Sequence, residues 1–410
     1  MTETLPDSLR ELPEFPSPRA AGCPFGQPPR QLAAAAAAPL TRVRIWDGSE
    51  HWFITGHAEQ RTVLADPRIS ANEKLPGFPH QNAAGAEGAK HHPVTIFNSD
   101  DPEHSRIRRM MTFPFTFKKV EALRPKIQRI TDELIDRMLA GPKPADLVTE
   151  LALPLPTQMI CDLLGVPIQD QELFQRAATV AVDRNASPET NASTSQELVA
   201  YLAELIERRR TEPGEGWVAD LAERVNAGDT TVAEAAMMGI VLLIAGHETS
   251  ANMIALGTTA LFANPDQLAL LRAAEDSKAV AAATEELLRF LSIAQHGLRR
   301  VALEDVEVGG EVIRAGEGLI MPLPIANWDP TAFPEPEELD LGREGARQHV
   351  AFGFGIHQCV GQQLARVELQ VVYGTLYRRI PTLALATDLE KLKFKEDAFA
   401  YGVYSLPVTW

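Results

Sequence analysis

Residues Phe352-Gly-Phe-Gly-Ile-His-Gln-Cys-Val-Gly361 set a single cysteine, Cys359, among three glycines and just ahead of an apolar segment of helical period. Several readings fit these residues. A lone cysteine after a glycine-rich turn is ordinarily a buried packing residue. Zinc could recruit His349, His357 and Cys359, but structural zinc takes four ligands with closer pairing, and no second cysteine lies nearby. A cysteine nucleophile with His357 as base would need side chains at i and i+2 to converge, which is awkward. A thiolate ligand to haem iron suits the run in more ways. Gly353, Gly355 and Gly361 permit tight turns and close backbone approach. The helix beginning after Gly361 offers its dipole and free N–H groups to a thiolate. Such a thiolate pushes electron density onto the iron and favours O–O cleavage. The run alone leaves these readings open.

The surrounding chain narrows the class. Its 410 residues, 45% hydrophobic, are ample for a large core. Thirty-nine basic and 55 acidic residues give a formal charge of −16, which argues against nucleic acid as the main partner. Residues 1–30 are rich in proline and charge and lack the apolar core of a secretory signal. The longest strongly apolar run, Met237 to Ala245, is short of the roughly 20 residues a membrane span needs. Cys23, Cys161 and Cys359 are odd in number and far apart, so a reducing cytoplasm is the expected compartment. Cys161 sits in an apolar stretch and reads as core; Cys23 lies in a proline-rich arm.

Residues 1–40 read as an N-terminal arm and 41–410 as one domain. Thr41–Trp46 and His51–Thr55 alternate as strands, and Ala58–Ala65 comes next as a helix. Residues 70–93, with three prolines, read as a long loop, usually a functional feature. Helical spacing then dominates: Leu123–Leu139, Glu197–Arg210, Thr231–Phe262 and 276–291. Thr231–Phe262 is apolar on several faces and is expected to run through the middle of the molecule. Val301–Leu319 reads as short strands, 329–348 as a meander, and Gly361–Ile380 as a last helix stopped by Pro381. The class is mainly α with small β-sheets.

Three other groups carry chemistry. Ala245-Gly-His-Glu-Thr249 lies midway along the long helix, where glycine costs about 1 kcal/mol relative to alanine. Thr249 can bond back to the Ala245 carbonyl and bend the helix, opening a groove for a diatomic ligand and water. Glu248 beside it can pass protons inward, which O–O heterolysis requires. The pair His247-Glu248 also opens a zinc-protease motif, but Ala251 stands where the second histidine belongs. Glu286 and Arg289 sit at i and i+3, by themselves an ordinary surface ion pair. His104 and Arg108, at i and i+4, share a helix face.

Phe352-x-x-Gly355-x-x-x-Cys359-x-Gly361 resembles the haem-binding signature of the cytochrome P-450 superfamily, and these three groups fall in that family's order. The resemblance covers about residues 40–410. The closing Leu406-Pro-Val-Thr-Trp410 and the run from His349 to Cys359 are similar to the actinomycete branch. The resemblance implies a fold that holds haem b between a long central helix and a cysteine loop preceding a C-terminal helix. By the same resemblance Cys359 ligates the iron, with Ala245, Gly246 and Phe352 against the macrocycle. His104, Arg108, Arg300 and His357 match the propionate contacts, Arg300 being preferred to its neighbour Arg299. Thr249 and Glu248 match the acid–alcohol pair, with glutamate in place of the commoner aspartate. The resemblance implies that Thr249 holds the oxygen intermediate and Glu248 relays protons. Glu286, Arg289 and Arg343 match a buried, fold-stabilising triad.

By the same alignment the pocket is expected at Thr95, Ile96, Val180, Leu242, Ala245, Ile293, Ala294, Ala400 and Tyr401. These are mostly apolar or small, so the resemblance implies oxygen insertion into a C–H bond of a fairly large hydrophobic molecule: a macrolide, a sterol-like compound or a statin precursor such as compactin. A peroxygenase or isomerase on the same scaffold, or a haem gas sensor, are the alternatives. No flavin or nicotinamide segment is present, so electrons are expected from a separate ferredoxin and its reductase. Arg108, Arg109, Lys118, Lys119 and Arg366 are the expected docking cations. A cytoplasmic monomer, without a membrane or nucleic-acid partner, completes the expectation.

Overall fold

The structure is a computed structural model that describes residues 12–20, 24–167, 170, 172–174, 176–177, 188–212, 214–274 and 276–410. Val180 and Cys23 lie outside the described residues. Two compact units are present: residues 1–105, 285–359 and 396–399, and residues 106–284, 360–395 and 400–410.

The first unit is built on a five-stranded sheet with the order Leu40–Arg44, Glu50–Ile54, Gly318–Met321, Leu298–Ala302, Ile69–Ser70. Alternation along these strands sorts the two faces. Trp52, Ile54, Leu319 and Met321 join one apolar cluster with Val63, Val306, Ile313 and Val350. Phe53 and Ile320 point the other way and pack with Phe15, Val43 and Ile45. The expected arm therefore does more than trail. Phe15 is 3% exposed, Glu14 bridges Arg44, and Pro29–Ala37 is helical. The expected loop at 70–93 also contains a short helix, Ala83–Ala89, whose N-cap Asn82 accepts from the Gly85 N–H at 2.8 Å. Four alanines supply the helix preference there, which the proline count obscured.

The second unit is helical, around Val232–Ala263. Thr231 caps its start: its hydroxyl accepts from Glu234 N at 3.2 Å, and Glu234 Oε2 accepts from Thr231 N at 3.1 Å. At 1.5 Å per residue the 32 residues span about 48 Å. The helix is long and apolar enough to cross a membrane. Burial inside the unit accounts for that composition, because Ala235, Ala236, Met238–Leu243 and Ser250–Leu261 are all buried. Small residues let its neighbours approach. A Cβ on Gly257 would lie 2.1 Å from the Tyr373 hydroxyl, which donates to the Met253 carbonyl at 2.5 Å. Tyr373 belongs to the last helix, Gln362–Arg379; it and Tyr377, which donates to Thr258 Oγ1 at 3.0 Å, bury whole rings with satisfied hydroxyls.

Candidate functional site

In the first unit the cysteine run forms a tight loop. Gly353 and Gly355 both have φ of +71°, a region open to glycine. A Cβ on Gly355 would sit 2.1 Å from the Leu64 carbonyl oxygen, so the backbone itself packs there. The Gly353 N–H donates to Val350 O at 2.8 Å, and the Cys359 N–H donates to Phe352 O at 2.9 Å. The loop thus closes on itself and leaves Cys359 exposed. Gly361 differs from expectation. Its φ of −81° suits any residue, and the nearest atom to an added Cβ is 3.9 Å away. Behind the loop, His349 accepts from Ala351 N on Nδ1, so its Nε2 carries the proton donated to Glu285 Oε2 at 3.1 Å. That engagement removes His349 from the zinc reading, and among the described residues no group of three or more His, Cys, Asp or Glu could hold a metal.

Cations gather in the same unit. The Arg300 side chain is on the sheet face of Leu319, opposite the face that Arg299 shares with Ile320. Strand alternation therefore separates the doubled arginines. Arg300 is 8% exposed; its guanidinium donates to Arg299 O at 2.7 Å and makes no ion pair among the described residues. Burial pulls its pKa down to about 10, with Asp100 opposing. The rings of His104 and His357 lie 4.2 Å apart. His357 Nδ1 donates to Ile96 O at 3.1 Å, and His104 is 1% exposed. Arg108 is one turn along the helix Glu103–Thr112 and falls in the second unit.

In the second unit the buried run of the long helix opens most widely near its middle. Ile244, Ala245, Gly246, Glu248 and Thr249 reach open space, Ile244 at 55% exposure, while the residues on either side are buried. The Thr249 hydroxyl donates to Ala245 O at 2.7 Å, the back-bond expected of it. The helix nonetheless runs without a break through residues 245–249. A Cβ on Gly246 would meet Ile160 Cδ1 at 3.3 Å, so close packing against Pro154–Leu164 supplies the reason for glycine. Glu248 pairs with a residue that the sequence did not single out: Lys395 Nζ lies 3.3 Å from Glu248 Oε1. Ser250 donates to Glu368 Oε2 at 2.7 Å, and burial pushes the Glu368 carboxyl up to about 8. His247 is buried, donates from Nδ1 to Leu243 O at 2.7 Å, and has its pKa lowered by burial.

The expected structural triad does meet. Arg289 donates to both oxygens of Glu286, at 2.7 and 2.8 Å, and Arg343 Nε donates to Glu286 Oε1 at 3.1 Å. Arg289 also donates to the carbonyls of Asn327, Pro336 and Glu338, so it ties the helix Ser277–Leu291 to the meander. Among the expected pocket residues, Thr95, Ala245, Ile293 and Ala294 are half-buried and retain surface. Thr95 uses its hydroxyl on Asn98 Oδ1 at 3.0 Å. Leu242, Ile96 and Ala400 are buried, as is Tyr401 at 2% exposure. The Tyr401 ring packs on Phe394. Ile244, over half exposed, carried no signal in the sequence; an exposed aliphatic in a buried helix is visible only once the helix is packed. Arg366, expected at a docking surface, is 8% exposed and donates to Gln362 Oε1 at 2.9 Å.

Comparison with known proteins settles the family. The family pattern described as Cytochrome P450 matches residues 189–381. The chain is 58% identical, over all of both chains, to Cytochrome P450 CYP105Q4 of Mycobacterium marinum. It belongs to the cytochrome P450 family. The crystal structure of GfsF, a cytochrome P450 of Streptomyces halstedii, is 52% identical, with a TM-score of 0.93 over 97% of this chain and 100% of that one. Mycinamicin VIII C21 methyl hydroxylase of Micromonospora griseorubida, solved with mycinamicin VIII bound, is 38% identical, with a TM-score of 0.88 over the same shares. The P450 fold is thereby established, and the protein is a cytochrome P450 monooxygenase. P450 proteins bind haem b through a cysteine thiolate. In the first unit the residues present fit that group: an exposed cysteine on a closed loop, and a buried arginine that makes no ion pair among the described residues and so suits a propionate.

Proposed function

We propose that this P450 inserts one oxygen atom into a C–H bond of a fairly large hydrophobic small molecule. Cys359 is assigned as the iron ligand, His104, Arg108, Arg300 and His357 as propionate contacts, and Ala245, Gly246 and Phe352 as neighbours of the macrocycle. The observation that carries the reading is the Thr249–Ala245 hydrogen bond at the open window of an otherwise buried helix. Bound haem supplies the iron at which dioxygen is reduced. The protein's own groups handle position and protons. With its hydrogen committed to Ala245 O, the Thr249 oxygen presents lone pairs to the window and accepts a hydrogen bond there. Glu248, next along the helix and partly exposed, carries protons from solvent. Ile244 and Ala245 give the window an apolar rim that excludes water and suits an apolar substrate.

The substrate class extends from the relatives: a macrolide, a sterol-like compound or a statin precursor. Electrons come from a ferredoxin and its reductase in the cytoplasm, to a monomeric enzyme. Arg109, Lys118 and Lys119, with exposed Phe113 and Phe117, form the docking face, and Lys119 Nζ lies 3.1 Å from the Phe113 ring centroid. The test supplies ferredoxin, reductase, NADPH and ¹⁸O₂ to the holoprotein with a panel of those three substrate types. The reading predicts a product that gains one ¹⁸O, formed more slowly after Lys118→Glu and Lys119→Glu. Product formed with hydrogen peroxide but never with the reductase chain would favour the peroxygenase reading instead.

A further inference from the structure

Glu248 and Asn252 lie one turn apart on the same face of the long helix. One ammonium serves both. Lys395 Nζ is 3.3 Å from Glu248 Oε1 and 2.9 Å from Asn252 Oδ1, and Lys395 is only 4% exposed. Lys395 comes from a C-terminal hairpin. Its N–H donates to Gly402 O at 2.8 Å, Tyr404 N donates to Lys393 O at 3.0 Å, and Phe394 stacks on Tyr401 across the hairpin at 5.7 Å. The hairpin returns to the helix a second time, where Asn252 Nδ2 donates to Ala400 O at 3.3 Å. A Cβ on Gly402 would lie 2.4 Å from Asn252 Oδ1, so glycine is what admits Asn252 to its place beside the ammonium.

We propose that Lys395 is a positioning residue for Glu248, through which the C-terminal hairpin sets when that carboxylate is held and when it can swing free. The proposal rests on the reading of Glu248 as the proton carrier. The ammonium fixes the direction of the Glu248 carboxyl group, so Glu248 on Lys395 is parked and oriented. A buried ammonium deserted by its partner is strongly destabilised. Asn252 Oδ1 removes most of that penalty, because it remains bonded to Nζ when Glu248 leaves. The Tyr404 ring, with its centroid 5.7 Å from Nζ, adds weak support. The other titratable groups around this point are His247, held toward its neutral form by burial, and Glu368, which reaches Ser250 from the last helix. Neither offers Glu248 a competing cation. Because Asn252 also holds the Ala400 carbonyl, displacement of the hairpin moves Lys395 and Asn252 together.

The test reads the infrared stretch of the Glu248 carboxyl group in the resting holoenzyme at one fixed pH, with Glu248→Gln identifying the band. Lys395→Met and Lys395→Gln are expected to shift and broaden that band, because the carboxyl group loses its fixed donor, and Lys395→Arg is expected to restore it. Gly402→Ala, which drives Asn252 off the ammonium, is expected to shift it as well. A band unchanged in both neutral variants overturns the role of Lys395, and a band unchanged in Gly402→Ala overturns that of the hairpin. The underlying reading fails separately: Glu248→Gln with wild-type coupling of electrons to product would show that Glu248 carries no proton, while the infrared band would still decide the ion pair.

Discussion

Replacing Arg289 by methionine removes a side chain that makes five hydrogen bonds within the first unit. Arg289 is fully buried and donates to Glu286 twice and to the carbonyls of Asn327, Pro336 and Glu338, the last two in the meander. Methionine fills much of the volume but leaves those three carbonyls without that donor. Glu286 keeps Arg343 Nε and the Asp340 N–H, each at 3.1 Å, so its charge is only half answered. Breaking a buried pair from one side costs about 3–5 kcal/mol. An unfolding entropy of about 2.1 cal/mol/K per residue gives about 0.9 kcal/mol/K for a chain of this length, so Tm falls by about 3–6 °C. Scanning calorimetry of the holoenzyme at one scan rate measures this. The control is Arg129→Met, which breaks an ion pair with Glu133 whose side chains are both more than half exposed. It should move Tm by less than about 1 °C. Arg289→Lys should resemble methionine more than wild type, because lysine keeps the charge and loses the planar fork. Equal Tm shifts for Arg289→Met and Arg129→Met would refute the claim that this buried network holds the meander.

The remaining predictions concern the site. Glu368 has its folded pKa raised from 4.5 to about 8, so its contribution to stability is complete below about 4.5 and is lost as pH rises to about 8. Glu368→Gln should therefore flatten the fall of Tm across that window; an unchanged slope would contradict burial of a neutral carboxyl there. Thr249→Ala should retain reductant consumption but release peroxide in place of product, measured as moles of each per NADPH; unchanged coupling would take Thr249 out of its role. Arg300→Leu should speed haem loss to apomyoglobin about tenfold or more, the effect of one lost charge-assisted hydrogen bond of about 1.5–3 kcal/mol; an unchanged rate would mean that Arg300 meets no propionate.

The features legible in the chain and those hidden from it divide along a physical line. The cysteine loop is local: positive φ at Gly353 and Gly355 and the closing bond from Cys359 to Phe352 all lie within one short run. The long helix announces itself by apolar period, and the Thr249 back-bond needs only four residues of spacing. The triad of Glu286, Arg289 and Arg343 was reachable only through family resemblance, since charges at i and i+3 ordinarily stay at the surface. Lys395 carried no signal of that kind. It reaches Glu248 from 147 residues away, in a lysine-rich segment that looks solvated. Asn252 did leave a trace, a lone amide in a run of buried apolar positions, and such a group must find partners. The stack of Tyr401 on Phe394 was equally hidden, because it forms only when the two strands of the hairpin meet.

The assignment of Cys359 as the iron's thiolate ligand is tested most directly by the absorption spectrum of the dithionite-reduced holoprotein under carbon monoxide. The account predicts a Soret band strongly red-shifted from that of imidazole-ligated haem, and its replacement by an imidazole-type band in Cys359→His. A red-shifted band that survives Cys359→His, or a purified chain that takes up no haem, would contradict it.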